Sequence, residues 1–375
     1  MVDVPRVVLT GGVSGGHVFP LIAVSRSLRT FFPQGVEFLF IGSQGKFESE
    51  AMTQEGIPAQ YVLTGKMRRY FSWLNFVDVF KVPIGIIQAL WKLFLFMPDV
   101  VFAKGGSASI PVVLAAWVFH IPVMIHDSDA VAGRANRLLA RFSTRIAIAY
   151  PSAHKYFPED KTALTGNPVR DEFLSGSAER AATTYGLSLE KKTLLVWGGS
   201  QGAQVINRSL LLILPELLKK GIQVIHQTGS ENYNAVMEAV TEFGIEIGKS
   251  GYIAKDFFGP SEIADALQLS TLVLSRAGAG SIAEIAAVKK PSILVPLESA
   301  ANDEQRMNAY DIAEIGGALV LEESNLGEHL LLEKILGLME NETLLRSMSE
   351  KIQVFYHPDA ADTIAAGLSS LMLHS

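Results

Sequence analysis

Short apolar runs alternate along the chain with longer stretches in which apolar residues recur at helical spacing. In the first half these runs are rich in Val, Ile and Phe, and they fall at residues 7–9, 36–41, 99–103, 121–125 and 145–149. The first of them is followed by a stretch of helical spacing from Leu21 to Arg29. Because apolar strands separated by helical segments are typical of a sheet covered on both faces, the pattern predicts a parallel α/β domain.

The same pattern restarts in the second half of the chain. Its apolar runs fall at residues 193–197, 224–226, 271–275 and 292–295. The segment Gly166-Asn167-Pro168-Val169-Arg170 is rich in turn formers and is the natural linker, and a last helix is predicted from Asp359 to Leu373. We therefore predict two α/β domains: residues 1–166 together with a C-terminal helix at about 356–375, and residues 167–355.

Composition and charge narrow the class of protein. The 375 residues are 49% hydrophobic and 19% charged, which suffices for two buried cores. The net charge of −6 supplies no global positive field, so no nucleic-acid partner is expected. Cysteine is absent, which excludes disulfide scaffolds, thiolate zinc sites and a cysteine nucleophile. The segment Met1 to Arg6 lacks the layout of a signal peptide.

The mean hydropathy of +0.26 is high for a water-soluble protein and raises the question of a membrane span. The best candidate runs from Pro83 to Pro98, but it contains Gln88 and Lys92 and is shorter than the roughly 20 residues that a span requires. With a proline at each end, it is predicted to be a buried or interfacial helix.

Three glycine-rich loops follow predicted strands, at residues 11–17, 198–203 and 275–281. Glycine allows the backbone to approach a ligand closely, and the helix that follows directs its positive end toward it. The first loop lacks the GxGxxG spacing, and the next strand ends in Gly42-Ser43 without a carboxylate, which disfavours a nicotinamide dehydrogenase. Tight packing of a strand against a helix would explain one such loop equally well.

The third loop carries more specific chemistry. Gly280 and Ser281 open a helix whose N–H groups and dipole suit a diphosphate without a metal ion. Glu284 lies about one turn further along, where its carboxylate could accept hydrogen bonds from both hydroxyls of a ribose. The alternative is that Glu284 merely favours the helix start electrostatically.

A pair of carboxylates follows another predicted strand. Asp127 and Asp129 form a DxD string, and two carboxylates so spaced could chelate Mg²⁺. Short Asp-x-Asp strings are also common in turns, so we predict no metal site here.

Along nearly the whole chain, the order of the motifs resembles the MurG family of glycosyltransferases. The matching segments are Gly11–Pro20, Gly105-Gly106, Ile121-Pro122, Gly166–Arg170, Gly198–Ala203, Arg276–Glu284 and Gln305–Asn308. The resemblance implies a GT-B fold, in which two Rossmann-like domains have parallel sheets facing a central cleft. It also implies inverting transfer of N-acetylglucosamine from UDP-N-acetylglucosamine to the C4 hydroxyl of the muramoyl sugar of lipid I, an undecaprenyl-diphosphate-linked muramoyl peptide, forming lipid II without a cofactor.

The resemblance places the donor in the C-terminal domain. The donor-binding residues that it implies are Ser14, Gly15, Gly16, Asp129, Arg170, Ser200, Gln201, Ile253, Ala279, Gly280, Ser281, Glu284, Gln305 and Asn308. Among them, Glu284 is expected to bind the ribose, Ile253 to offer backbone contacts to uracil, and Arg170 to close the nucleotide side. Gln305 and Asn308 are expected to touch the sugar hydroxyls.

His17 is the expected catalytic residue, at the junction between the first loop and its helix. It would act as general base on the acceptor hydroxyl or orient the acceptor diphosphate. The structural alternative is a helix-start histidine bonded to loop carbonyls. The family usually has His-Glu-Gln-Asn where this chain has His126-Asp127-Ser128-Asp129, so that Asp129 replaces an asparagine. Ser107 replaces an aromatic residue, and Glu304 a glutamine or histidine.

A basic and aromatic segment predicts contact with an anionic membrane at the cytoplasmic face. The predicted patch consists of Lys66, Arg68, Arg69, Trp73, Phe76 and Phe80. The apolar stripe continues through Ile84, Ile87, Trp91 and Phe94, and such a stripe is more often core. The basic cluster and the interfacial preference of Trp favour peripheral docking with part of the stripe buried.

Three other functions remain open at this level. A hydrolysing UDP-N-acetylglucosamine 2-epimerase has the same fold and donor, but it requires several catalytic carboxylates that we cannot assemble from the sequence. A UDP-sugar transferase with a different lipid acceptor, or a non-catalytic subunit that only binds the donor, would also match the glycine loops.

Overall fold

The computed structural model describes residues 4–12, 15–65, 73–199 and 202–373, without the side chains of residues 46, 73–80 and 301. The chain forms two compact units. The first comprises Met1–Val169 and His357–Ser375, and the second Arg170–Tyr356. Each unit has its own apolar core built between a sheet and its helices.

A parallel sheet organises the first unit. Its strands are β1 (Arg6–Thr10), β2 (Glu37–Gly42), β3 (Ala59–Tyr61), β4 (Val100–Ala103), β5 (Val123–Asp127), β6 (Arg145–Ile148) and β7 (Thr162–Leu164). Over the described residues the strand order is β3-β2-β1-β4-β5-β6-β7, with parallel pairing throughout. The direction of strand addition reverses between β1 and β4, where open α/β sheets leave a crevice at their carboxyl ends.

Helices connect these strands and cover the sheet. They are α1 (Gly15–Phe31), α2 (Lys46–Gln54), α3 (Trp73–Phe96), α4 (Ser109–Val118) and α5 (Arg134–Leu139), with short 3-10 turns at Ala140–Phe142, Pro151–Tyr156 and Glu159–Lys161. The buried face of α1 packs Val18, Leu21 and Leu28 into the core.

The second unit repeats this plan. Its strands are β8 (Thr193–Trp197), β9 (Gln223–Gln227), β10 (Tyr252–Lys255), β11 (Leu272–Arg276), β12 (Ser292–Val295) and β13 (Ala318–Val320). Within the described part of this unit, the parallel sheet has the order β10-β9-β8-β11-β12-β13, which reverses between β8 and β11.

The helices of the second unit also alternate with its strands. They are α6 (Asp171–Leu174), α7 (Ala178–Tyr185), α8 (Gln204–Lys219), α9 (Tyr233–Glu242), α10 (Pro260–Leu269), α11 (Ala279–Ala287), α12 (Glu304–Glu314), α13 (Glu328–Glu340) and α14 (Glu342–Ile352). Short 3-10 turns lie at Ala301–Asp303, Glu323–Asn325 and Gln353–Phe355. The prediction of two α/β halves with parallel sheets is confirmed.

The last helix, α15 (Ala360–Met372), returns to the first unit and packs on α1. Its Ile364 and Leu368 belong to the core of that unit. The chain re-enters the first unit beside the segment where it left that unit. Gly166 has φ +78°, and a Cβ there would lie 2.4 Å from the His357 ring. Only glycine fits this junction because a side chain would face both backbone strain and a collision.

The prediction that prolines bound the apolar helix at residues 83–98 is wrong at its start. Helix α3 begins at Trp73 and continues through Pro83. Pro83 removes one hydrogen bond of the helix because proline has no backbone N–H. The packing of α3 on α4 stabilises the helix despite this loss. At Gly85 the helix backbone lies so close to the Leu63 carbonyl that a Cβ would be 2.1 Å from its oxygen. Within the described ranges, no helix combines the length and apolar character needed to cross a bilayer.

A buried polar network links three elements of the second unit. His226 on β9 is fully buried, with Nδ1 2.9 Å from Tyr252 Oη and Nε2 3.0 Å from Asn207 Oδ1. The Asn207 amide nitrogen donates to the Thr228 carbonyl at 2.8 Å, so its oxygen is the acceptor for His226 Nε2–H. The tyrosine hydroxyl then donates to Nδ1, and the imidazole is neutral. Burial lowers the pKa of His226 to about 3.

This network predicts acid sensitivity of the second unit. In the unfolded chain the pKa of His226 is near 6.5, above its folded value. The stability that the neutral histidine gives the folded state is therefore fully present above pH 6.5 and is lost as the pH falls toward 3. We expect this residue to lower the free energy of unfolding by about 1.4 kcal/mol per pH unit in that window. In urea unfolding, the free energy of unfolding of His226→Gln should fall less steeply between pH 6.5 and 4.5 than that of the parent. An equal pH dependence of this free energy in parent and variant would contradict the assignment.

Candidate functional site

The carboxyl edge of the second sheet places two glycine loops side by side. The loops that follow β8 and β11 flank the point where the strand order reverses. Gly199 and Gly202 have φ of +83° and +75°, and a Cβ at Gly202 would lie 2.1 Å from the Thr228 carbonyl oxygen. The Gln227 amide donates to the Gly199 carbonyl at 2.7 Å. The two predicted donor residues in this loop, Ser200 and Gln201, lie outside the described residues.

Helix α11 presents its N-terminus at this edge. Gly278 is its N-cap, and Ala279, Gly280 and Ser281 form its first turn. Gly280 is exposed, and a Cβ at Gly278 or Gly280 would meet nothing within 4 Å. The first-turn N–H groups of a helix lack partners within the helix, so they can bind an anion together with the positive end of its dipole.

Glu284 lies in the second turn of α11 and is only 9% exposed. Arg170 Nε and Nη2 donate to Glu284 Oε1 at 3.0 and 2.7 Å. Burial raises the pKa of Glu284, whereas the Arg170 charge and hydrogen bonds lower it. The carboxylate is thus buried, paired and beyond the first turn, so the electrostatics of the helix start do not by themselves account for its position.

Aromatic packing holds Arg170 in this position. The guanidinium carbon lies 4.6 Å from the centroid of the Phe173 ring, and Phe173 stacks on Trp197 at the end of β8 with centroids 6.2 Å apart. Arg170 is the first residue of the second unit, directly before α6. The ion pair is thus supported by the same strand that leads into the glycine loop.

The structure does not bring Ile253 to this edge. Val224 N–H donates to the Gly251 carbonyl and Thr228 N–H to the Lys255 carbonyl, both at 2.9 Å. Because alternate residues of a parallel strand face the same neighbour, Ile253 also directs its backbone groups toward β9. The expectation of free Ile253 backbone contacts is therefore wrong. The segment after β10 reaches the carboxyl edge instead, where Phe257 is exposed.

Helix α12 brings one of its two predicted sugar-binding residues to the edge in an accessible form. Gln305 is half-buried, and its Oε1 accepts the Leu297 N–H at 3.1 Å. Asn308 is fully buried, and its amide donates to the Ala277 carbonyl at 3.2 Å. Asn308 therefore supports the backbone leading into α11. Asn302 and Asp303, both with positive φ, set the start of α12.

In the first unit, the predicted catalytic histidine lies in the first turn of α1, which begins at Gly15 and Gly16. A Cβ on Gly12 would lie 3.1 Å from His17 Nδ1, so the absence of a side chain lets the ring fold over the loop. Gly106, after β4, approaches from the other side, and a Cβ there would be 2.9 Å from the Gly12 Cα and 3.7 Å from His17 Nε2. Burial and the charge of Lys104 lower the pKa of His17 to about 4. Ser14 lies outside the described residues.

The carboxylate of Asp127 is engaged by the protein itself. Its Oδ2 accepts from Gly133 N–H and the Asn136 amide, both at 3.0 Å, and its Oδ1 accepts from Asp129 N–H at 3.3 Å. This is the pattern of a carboxylate that organises a turn and the start of α5. Over the described ranges, His, Asp and Glu side chains form no cluster of three that could hold a metal ion. Asp129 itself is partly exposed beside this turn.

Comparison with known proteins identifies the family. Residues 7–148 match the glycosyltransferase family 28 N-terminal domain, and residues 193–364 match the family 28 C-terminal domain. The chain belongs to glycosyltransferase family 28. A relative from Clostridium perfringens (strain ATCC 13124) is 38% identical over 345 residues, covering 92% of this chain and 93% of the relative. It is named UDP-N-acetylglucosamine–N-acetylmuramyl-(pentapeptide) pyrophosphoryl-undecaprenol N-acetylglucosamine transferase.

Solved structures agree on the fold of this family 28 chain. The crystal structure of Acinetobacter baumannii MurG has a TM-score of 0.76 and 25% identity, covering 98% of this chain and 99% of that one. The GT-B fold and the resemblance to the MurG family are thus confirmed. A UDP-N-acetylglucosamine 2-epimerase from Neisseria meningitidis has a TM-score of 0.71 at 15% identity, covering 99% of this chain and 100% of that one. At this identity the likeness shows a shared fold only. Because the same fold occurs in both enzymes, the fold by itself does not distinguish a transferase from an epimerase.

The Glu284 geometry predicts a specific loss of donor binding. Glu284→Ala should weaken UDP binding by about 2 kcal/mol, the scale of hydrogen bonds to a charged group. Isothermal titration calorimetry measures this directly. Glu342→Ala, which removes an exposed glutamate from the first turn of α14, is the matched control and should bind UDP like the parent. Unchanged affinity in Glu284→Ala would remove Glu284 from the site.

Proposed function

We propose that this family 28 enzyme transfers N-acetylglucosamine from UDP-N-acetylglucosamine to the C4 hydroxyl of the muramoyl sugar of lipid I. The product is lipid II, a precursor of peptidoglycan, and the anomeric centre is inverted. The observation that carries the proposal is the 38% identity, over 92% of the chain, to a transferase with this activity in its name. The anion-binding terminus and the buried Glu284 provide independent support for a nucleotide-sugar donor.

The second unit binds the donor in this proposal. The first turn of α11 holds the diphosphate, and Glu284, oriented by Arg170, accepts hydrogen bonds from the ribose hydroxyls. Gln305 donates its amide to the sugar. As UDP departs, negative charge grows on its diphosphate, and the α11 terminus stabilises that charge without rearrangement. Ser200 and Gln201 complete the phosphate contacts, whereas Asn308 acts by supporting the backbone.

The first unit binds the acceptor, and His17 is the general base. Since its pKa lies at about 4, the imidazole is neutral at pH 7 and can receive the proton of the acceptor hydroxyl. Gly15 and Gly16 leave the start of α1 accessible to the reacting sugars. Asp129 lies on the neighbouring turn, where it contacts the transferred sugar or the acceptor.

One assay separates the candidate activities. Purified protein receives UDP-N-acetylglucosamine with or without a soluble lipid I analogue, in the presence of excess EDTA. We expect UDP and a disaccharide product only with the acceptor, because a helix terminus rather than a metal ion holds the diphosphate. Formation of N-acetylmannosamine without acceptor would indicate an epimerase. Binding without turnover would indicate a donor-binding subunit, and loss of transfer in EDTA with recovery in Mg²⁺ would overturn the metal-free mechanism.

The role of His17 predicts a kinetic signature. His17→Ala should lower kcat by about 100-fold, the typical contribution of a general base, while UDP binding stays near that of the parent. His329→Ala, which changes an exposed histidine of α13, is the control and should retain full turnover. A loss of less than tenfold in His17→Ala would assign the residue a structural role.

We also propose that the first unit docks on the cytoplasmic face of an anionic membrane. Helices α3 and α4 pack on each other and both expose large apolar side chains, which we name together the α3–α4 patch: Ile84, Ile87, Trp91, Phe94 and Trp117. Trp91 and Phe94 are 62% and 60% exposed and stack on each other, and Trp117 is 56% exposed. Such a cluster is unusual on a monomer and marks an interaction site.

The surroundings of the α3–α4 patch favour a lipid surface. Trp117 contacts the Phe142 ring edge-on, with centroids 5.4 Å apart, and the exposed Arg141 precedes it in the same 3-10 turn. Trp side chains and cations together suit the interface of an anionic bilayer. The basic residues predicted for docking, Lys66, Arg68 and Arg69, lie outside the described residues, as do the side chains of Trp73, Phe76 and Phe80.

Vesicle binding tests the patch. Trp91→Gln combined with Trp117→Gln should reduce co-sedimentation with phosphatidylglycerol vesicles by at least about tenfold, since each Trp contributes large apolar area. UDP affinity should stay unchanged. Leu189→Gln combined with Leu212→Gln removes two exposed leucines from the second unit and should bind vesicles like the parent. Equal co-sedimentation of the patch variant and the parent would place the docking surface elsewhere.

A further inference from the structure

A buried lysine adjoins the predicted base of the first unit. Lys104 directly follows β4, the strand beside β1, and is only 4% exposed. A Cβ placed on Gly11 would lie 3.4 Å from Lys104 Cβ and 3.5 Å from His17 Cβ. The two side chains therefore leave the backbone close to the same point beside Gly11, which Leu21 also borders.

The ammonium group of Lys104 reaches the turn that follows β5. Its Nζ contacts Ser128 Oγ and lies in the field of Asp127 and Asp129. Burial lowers the pKa of Lys104 to about 8, while the two carboxylates raise it. At pH 7 the side chain is thus mainly charged, in a cluster with two carboxylates and a neutral imidazole. The turn is also held by Asn167, whose amide donates to the Ser128 carbonyl at 3.0 Å.

We propose that Lys104 is a positioning residue of the transfer reaction, which fixes the turn at Ser128–Asp129 and holds the adjacent His17 in its neutral form. The inference rests on the proposed function, in which His17 receives the acceptor proton. Without Lys104, the negative charge of the turn after β5 would lose the ammonium group that lies in its field. Negative charge near a histidine favours the protonated form, which cannot act as a base.

This arrangement gives a reason for the aspartate at position 129. An additional carboxylate beside a catalytic histidine would favour imidazolium, and the lysine on the neighbouring strand offsets that charge. The titratable groups on the elements around His17 are His126, Asp127 and Asp129 on and after β5, Lys104 after β4, Glu48 on α2 and Asp362 on α15. Of these, Lys104 is the one whose charge lowers the pKa of His17.

Titration of His17 tests the inference without any turnover. In ¹⁵N-labelled full-length protein, His17 is assigned by comparison with His17→Gln. We expect Lys104→Met to raise the midpoint of its titration by about one pH unit, the scale of one charge at several ångströms. Asp129→Asn should move the midpoint in the opposite direction, and Lys104→Arg should leave it near that of the parent. An unchanged midpoint in both Lys104→Met and Asp129→Asn would overturn the proposal.

Transfer kinetics provide the second readout. Relative to its own rate at pH 8, Lys104→Met should lose about threefold more activity at pH 4.5 than the parent, because a rise of one unit above a pKa of about 4 leaves most of its His17 protonated there. Lys104→Arg should restore the parent profile, which a purely steric role would not predict. If Lys104→Met does not fold, the His17 midpoint can still be measured in Asp129→Asn, where we expect it to fall, and in Lys104→Arg, where we expect it to stay near that of the parent. Absence of transfer in the parent would refute the proposed function, whereas the His17 titration would still decide the electrostatic role of Lys104.

Discussion

Parallel pairing is the constraint on which the rest of the structure depends. Throughout the described sheets the strands run in the same direction, so their carboxyl ends meet at one edge of each sheet. The loops that follow β1, β5 and β11, for example, lead into helices whose positive ends face back toward this edge. The reversal of strand order, between β1 and β4 in one unit and β8 and β11 in the other, opens each edge at a single place. Glycines border both places, and at Gly106 and Gly202 a Cβ would come within 3 Å of neighbouring backbone atoms.

The two edges share this geometry but hold different charges. In the second unit, the α11 terminus and the Arg170–Glu284 ion pair combine backbone N–H groups with one buried carboxylate, which suits an anionic nucleotide with a ribose. In the first unit, a neutral histidine, a buried lysine and two aspartates lie together, which suits transfer of a proton rather than binding of a second diphosphate. A difference in side-chain charge on the same backbone plan thus supports the division into donor and acceptor units.

Function in this fold resides in the side chains at the edges. The Neisseria epimerase shares the overall fold with a TM-score of 0.71, yet its identity to this chain is 15%. The Glu284 carboxylate illustrates how local detail matters. Burial raises its pKa, and the charge and hydrogen bonds of Arg170 oppose that rise. Phe173 and Trp197 in turn hold Arg170 in place. The surroundings of this buried carboxylate therefore depend on a strand and a short helix that are far from it in sequence.

The sequence by itself determined the central strands, the two-fold repetition of the α/β plan and the ordered motifs of the family, because apolar runs and glycine loops are local patterns. It did not reveal the edge strands β3, β7, β10 and β13, each of which has only three or four residues and so leaves no clear apolar run; all but β10 are also partly exposed. Only the tertiary structure decided that Ile253 faces β9, that Asn308 is buried, and that Lys104 lies beside His17. Each of these depends on which strands become neighbours, and strand order brings together residues whose separation in sequence hides their contact.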